Sequence, residues 1–265
     1  MSGGARRAEY LEALGIDCWV PRAAPAGTAT AELVPELEPE PAFEPKSVEP
    51  PPRAAAGSAP GRPGDAGVAE AWEQLLQQVR ACTACALHET RTQAVFGVGN
   101  RQAEWMVIGE APGAEEDRRG EPFVGRAGQL LDAMLRSIGL GRETNVYIAN
   151  ILKSRPPGNR DPRPEEVAAC LPYLLRQIAL VRPKLLLAVG RIAAQTLLGT
   201  DAPLGRLRGR AHTFGEHNVP LVVTYHPAYL LRSPAEKRKA WEDLQFARRL
   251  FAQLRDLEPN DGHRS

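Results

Sequence analysis

Between Ala69 and Leu257 the chain alternates two hydrophobic rhythms. WMVIGEAPG (105–113), NVYIANILK (145–153), KLLLAVG (184–190) and VPLVVTYHP (219–227) each carry a short apolar run stopped by Pro, Gly or a polar residue, as buried strands do. Longer stretches with apolar residues three and four apart lie between them. AWEQLLQQVRAC (71–82), AGQLLDAMLRSIGL (127–140), RPEEVAACLPYLLRQIALVRP (163–183), RIAAQTLLG (191–199) and the closing segment 233–257 read as helices. Pro164, followed by Glu165 and Glu166, marks one start, and Gly199 one end. The stretch before VPLVVTYHP reads as a loop and hairpin. This alternation predicts an α/β fold: a three-layer α/β/α sandwich around a central, mainly parallel four-stranded sheet covered on both faces. No internal repeat interrupts it.

The beginning of the chain follows neither rhythm. Residues 22–66 are rich in Pro, Ala, Glu and Gly and poor in aromatics, so they bury too little apolar surface to offset their ordering entropy. In front of them RRAEYLEALGIDCWVPR (6–22) puts Tyr10, Leu11, Leu14 and Ile16 roughly on one helical face, with Trp19 beyond. Such a segment either recruits a protein partner or packs back on its own domain. The expected organisation is a short amphipathic segment (1–20), a disordered linker (21–68), one folded domain (69–257) and a tail (258–265).

Composition narrows the class without naming a function. The chain is 43% apolar and 25% charged, and its formal charge is +1, so binding to DNA would require basic loops segregated on one face. No run of about 18 apolar residues exists, so no membrane span is expected. Arg6 and Arg7 are followed by no continuous apolar run, so no secretion signal is expected either. Four cysteines in such a chain suit a reducing, cytoplasmic compartment and metal or redox chemistry.

In open α/β sheets ligands bind beyond the carboxyl ends of the strands. There the sequence places Glu110 after the first strand, Asn150 at the end of the second and His226 after the fourth. Singly, each has a plain structural use: capping a helix, satisfying buried backbone, ordering a turn. Together they bring a carboxylate, an amide and an imidazole to one edge.

GEAPGAEEDRRGEPFVGRAGQLLDAML (109–135), NVYIANILKSRPPGNRDPRPEEVAAC (145–170) and VTYHPAYLLRSP (223–234) resemble the signature segments of the family-4, iron–sulfur uracil-DNA glycosylases, in the expected order from about Val79 to Phe251. The resemblance is to bacterial, cytoplasmic members carrying an N-terminal extension. It implies a monomeric, monofunctional enzyme that flips uracil out of single- or double-stranded DNA and hydrolyses its N-glycosidic bond, initiating base-excision repair. It implies that Phe123 stacks on the flipped ring, Asn150 reads the uracil edge, and His226 hydrogen-bonds O2 of the departing anion. It further implies that Glu110 positions water, Ala111 borders the base, and Glu116 crowds the C5 position against thymine. Glu116 also reads as a solvated helix-start acid. Leu230 is the expected wedge tip, and Arg155 and Arg232 the expected phosphate contacts. Two loops, RPPGNRDPR (155–163) and GRLRGR (205–210), concentrate arginine. The alternatives are a uracil-DNA-binding protein that turns over poorly because its iron–sulfur site is degraded, and an inert domain whose residues 1–20 recruit a partner.

The family's 4Fe-4S cluster is held by four cysteines, and here the pattern breaks. Cys82, Cys85 and Cys170 match three of the positions, but Ser154 stands at the remaining one. Serine is a harder ligand, far less readily deprotonated than thiolate, and holds iron poorly. Four outcomes stay open at this stage. The cluster persists with a serine or solvent ligand, a three-iron form included; it is lost; Cys18 closes the site across the linker; or zinc replaces iron, with His88 as the nearest nitrogen.

Overall fold

The computed structural model describes residues 65–257; the expectations for residues 1–20, for the linker up to residue 64 and for the tail 258–265 lie outside the described residues. The first helix, α1 (Asp65–Ala81), begins six residues earlier than its apolar rhythm, read from Ala71, indicates. After it come α2 (Leu87–Thr90), β1 (Val98–Gly99), β2 (Trp105–Gly109), α3 (Ala114–Arg119), α4 (Arg126–Arg136) and β3 (Val146–Asn150). A 3-10 turn (Pro157–Asn159) precedes α5 (Pro164–Val181). The remainder is β4 (Leu185–Val189), α6 (Arg191–Leu198), α7 (Leu204–Leu207), β5 (Ala211–Phe214), β6 (Val219–Thr224), α8 (Pro227–Arg232), a second 3-10 turn (Pro234–Glu236) and α9 (Lys237–Leu257).

The strands form one sheet in the order β1-β3-β2-β4-β6-β5. Its four central strands, β3, β2, β4 and β6, run parallel, as expected. The sheet nevertheless has six strands rather than four, because β1 and β5 add antiparallel edges. β1 is two residues long and carries no periodicity to read, and β5 is the outer arm of the anticipated hairpin.

Strands buried on both faces need no polar alternation, so their sequences are continuous apolar runs. One face of the sheet (Met106, Ile108, Tyr147, Ala149, Leu186, Ala188, Leu221, Val223) packs with Trp72 and Leu75 of α1, Leu174 of α5 and Ala193 of α6. The other (Trp105, Val107, Val146, Ile148, Leu187, Val222) packs with Leu131 of α4, Leu230 of α8 and Leu244 of α9. The three-layer reading therefore holds. Parallel register brings Gly109 beside Asn150 and Val189 beside Thr224, so that residues 110, 150 and 226 leave the same edge.

Candidate active site

A cavity of about 380 Å³ opens at that edge, and Glu110, Phe123, Asn150, Asp161, His226 and Arg232 are among the residues that line it. Ala111 and Glu116 line it too. Three chain segments with no sequence proximity thus meet as anticipated.

Two glycines make room. A Cβ on Gly109 would stand 2.4 Å from Asn150 Oδ1 and 2.5 Å from Phe123 Cζ, so only glycine lets amide and ring converge there. A Cβ on Gly128 would stand 1.7 Å from the Phe123 carbonyl oxygen. Phe123 itself has φ +55°, a left-handed conformation unusual for an aromatic residue. It is held by Arg142, which donates to the carbonyls of Pro122 and Phe123, each at 2.8 Å, while pairing with Asp132 at 3.0 Å. From below, Glu116 fastens the same loop to the start of α3: its carboxylate accepts from the backbone N–H groups of Gly113, Val124 and Gly125. Glu116 is therefore not a solvated helix-start acid: it anchors the loop and also lines the cavity.

Asn150 is 2% exposed, and its Oδ1 finds no hydrogen-bond partner among the described residues. An orphaned buried acceptor is costly, by roughly 1–3 kcal/mol, unless a ligand completes it. The ring of His226 lies 5.5 Å, centroid to centroid, from that of Phe123. His226 Nδ1 accepts from the backbone N–H of Ala228 at 3.1 Å. That bond commits the neutral ring to the tautomer with its proton on Nε2. Burial, reinforced by Arg232 and opposed by Glu116, pushes the imidazole down to about 4, so it is neutral at physiological pH. The carboxyl of Glu110 goes the other way: burial first, then nearby Asp161, raise it to about 7 against the pull of Arg191.

One expected DNA contact sits elsewhere than anticipated. Leu230 is 1% exposed and belongs to the core, so it cannot be a wedge tip in this structure. The reason is local: Pro227 opens a helix, and helical geometry turns residue 230 inward while Tyr229 and Leu231, each 37% exposed, face out. Arg155 does not line the cavity; its guanidinium donates to Asn159 Oδ1 at 2.7 Å. Arg232 is exposed at the mouth. Sequence reasoning missed Asp161, Arg191 and Arg142. Asp161 was hidden inside an arginine-rich loop, and the other two act across distances that no local spacing encodes.

The cysteine corner lies apart, and none of its residues lines the cavity. Cys82 and Cys85 leave the end of α1, and Cys170 is buried on α5. Burial, together with the neighbouring Cys85 and Cys82, pushes the Cys170 thiol up, although the Lys153 backbone N–H pulls it down. Ser154 Oγ accepts from the Arg91 guanidinium at 2.9 Å, and His88 Nδ1 is engaged by the Cys85 carbonyl at 2.8 Å. Among the described residues no group of three or more His, Cys, Asp or Glu side chains is arranged to hold a metal ion. Three thiols and a serine whose oxygen already serves a cation do not fit a four-thiolate cluster.

Residues 96–245 match the family model described as the uracil DNA glycosylase superfamily. A type-4 uracil-DNA glycosylase of Archaeoglobus fulgidus is 43% identical over 182 residues, 66% of this chain and 91% of that protein. The type-4 enzyme of Pyrobaculum aerophilum is 43% identical over 65% of this chain and 90% of its own length. That of Thermotoga maritima is 42% identical over 68% and 94%.

Proposed function

The chain belongs to the uracil DNA glycosylase superfamily, within its type-4 enzymes, and from that membership we propose how its cavity works. The protein excises uracil from DNA as a monofunctional N-glycosylase, the first step of base-excision repair. A stacked base is out of reach, so the nucleotide must be flipped into the cavity. Phe123 stacks on the ring, a contact worth ~1–3 kcal/mol. Asn150 Oδ1, the orphaned acceptor, takes the N3–H of uracil while its amide donates to O4. Cytosine presents a bare N3 and an amino group instead, so the same amide rejects it.

The bond between C1′ and N1 then breaks, and its electron pair leaves with the base. His226 donates from Nε2 to O2, where the charge of the uracil anion develops, and does so as a neutral donor. Water adds to C1′, and Glu110, as carboxylate, accepts its proton. Uracil and an abasic deoxyribose are the products. The observation that carries this reading is the buried, unpartnered Asn150 Oδ1 beside Phe123 and a histidine whose proton is fixed on Nε2. Three thiols, Cys82, Cys85 and Cys170, are the groups that would hold iron in this chain, and no step of the reaction passes through them. In this reading the enzyme is a monomer acting on single- or double-stranded DNA, and residues 1–20 supply a partner-binding segment.

Incubation with end-labelled oligonucleotides carrying uracil, thymine or cytosine at one position, followed by alkaline cleavage, tests the assignment. Cleavage at uracil alone is expected. Equal loss of cytosine and uracil would remove Asn150 from the role of reader, and intact uracil strands would overturn the activity.

A further inference from the structure

The cysteine corner is where this chain departs from its own family. Arg91 sits at its centre. One guanidinium nitrogen donates to Ser154 Oγ at 2.9 Å; the other donates to the carbonyls of Arg80 at 2.7 Å and Cys82 at 3.0 Å. These acceptors come from the last turn of α1, the CxxC segment and the loop after β3. We propose that this guanidinium fork, and not a metal, ties those three segments together, so that the protein folds without an iron–sulfur cluster.

The chemistry of the corner supports the exchange. A planar guanidinium with several N–H donors in fixed directions can hold three oxygens from separate segments, much as a metal holds ligands. Ser154 is 3% exposed, and its hydroxyl would otherwise be a buried polar group in need of a partner. Its oxygen is a hard ligand for iron, and it already accepts a hydrogen bond from the Arg91 guanidinium. Bonds to a charged donor are the stronger class of hydrogen bond. Arg91 thereby supplies a cross-link that survives chelators, oxygen and iron starvation.

The inference is independent of the uracil chemistry, because no residue of this corner lines the cavity. It is tested on the full chain, produced with ample iron and purified without oxygen, by iron and labile-sulfide content and by Tm with and without a chelator. Fewer than two irons per chain and a Tm that ignores the chelator are expected. Two or more irons per chain, or a Tm that falls when they are removed, would overturn the proposal. Arg91→Ala should lower Tm by ~5 °C, since two or more charge-assisted bonds are lost. If that variant does not fold, Arg91→Lys, which keeps the charge but not the fork, should show a smaller fall; an unchanged Tm in either case counts against the fork. Ser154→Cys should raise iron content at least threefold, and no gain would mean that residue 154 is not what excludes iron.

Discussion

Burial drives the two titratable groups of the cavity in opposite directions, and each shift leaves its group in the form the reaction needs. Glu110, raised to about 7, is largely a carboxylate in slightly alkaline solution, whereas His226, lowered to about 4, stays neutral throughout the working range. The pH profile of kcat/KM should therefore rise to a plateau above about 7, with no further limb near the ordinary histidine range. Glu110→Gln should abolish that rise and cost ~100-fold or more in kcat. Stability carries the opposite sign. A carboxyl whose folded pKa lies above its unfolded value of about 4.5 loses stability as pH climbs from there to about 7. Glu110→Gln should thus raise Tm relative to the parent at pH 8 and leave it unchanged at pH 4. Thermal melts of both proteins at the two pH values check this, and an equal shift at both would mean that packing, not charge, is responsible. Glu110, Asn150 and His226 were legible because strand ends locate them. Asp161 and Arg191, which tune Glu110, were not, because their influence arises only when the loop before α5 and the start of α6 fold against the sheet edge.

The loop between α3 and α4 decides where Phe123 lies, and three separate contacts impose its left-handed turn: the Glu116 anchor, the Gly128 clearance and the Arg142 fork. Arg142→Ala releases two carbonyl contacts at once, each worth ~1.5–3 kcal/mol in full but partly replaceable by water. Uracil excision should fall ~10–100-fold in kcat/KM, with partial recovery in Arg142→Lys. Affinity for DNA that already contains an abasic site should be retained, because no base then needs the ring. Equal losses in both measurements would indicate general unfolding rather than a misplaced Phe123. At this scale hydrophobic rhythm revealed the four parallel strands and the long helices. It could not reveal β1, which is two residues long, nor the orientation of Leu230. A wedge reading treats the residues after His226 as an extended tip, but Pro227 starts a helix there, and one helical step separates a core leucine from an exposed one.

A chain of net charge +1 can grip a polyanion only where its arginines are not already spent on neighbours. Around the cavity mouth the spending is uneven. Arg160 is paired with Glu166 at 2.5 Å and Arg191 with Asp161 at 2.5 Å, so a phosphate could use either only by displacing a carboxylate. Arg232, at the end of α8, is exposed beside Tyr229 at the rim. This unequal availability was invisible in the sequence, because folding decides which arginine meets a carboxylate: Arg191 reaches Asp161 from thirty residues away, and Arg160 reaches Glu166 in the first turn of α5. Its consequence is measurable as counterion release. Each phosphate neutralised contributes about 0.9 to the slope of log K against log salt on duplex DNA. Arg232→Ala should therefore reduce that slope by about 1, equally on uracil-containing and uracil-free duplexes. Arg160→Ala should change it by much less, since its charge is already balanced by Glu166. Anisotropy titrations of a uracil-free duplex between 50 and 200 mM salt give the slopes directly. A larger effect at Arg160 than at Arg232 would mean that DNA breaks the Arg160–Glu166 pair on binding, and would move the phosphate path from α8 to the loop after β3.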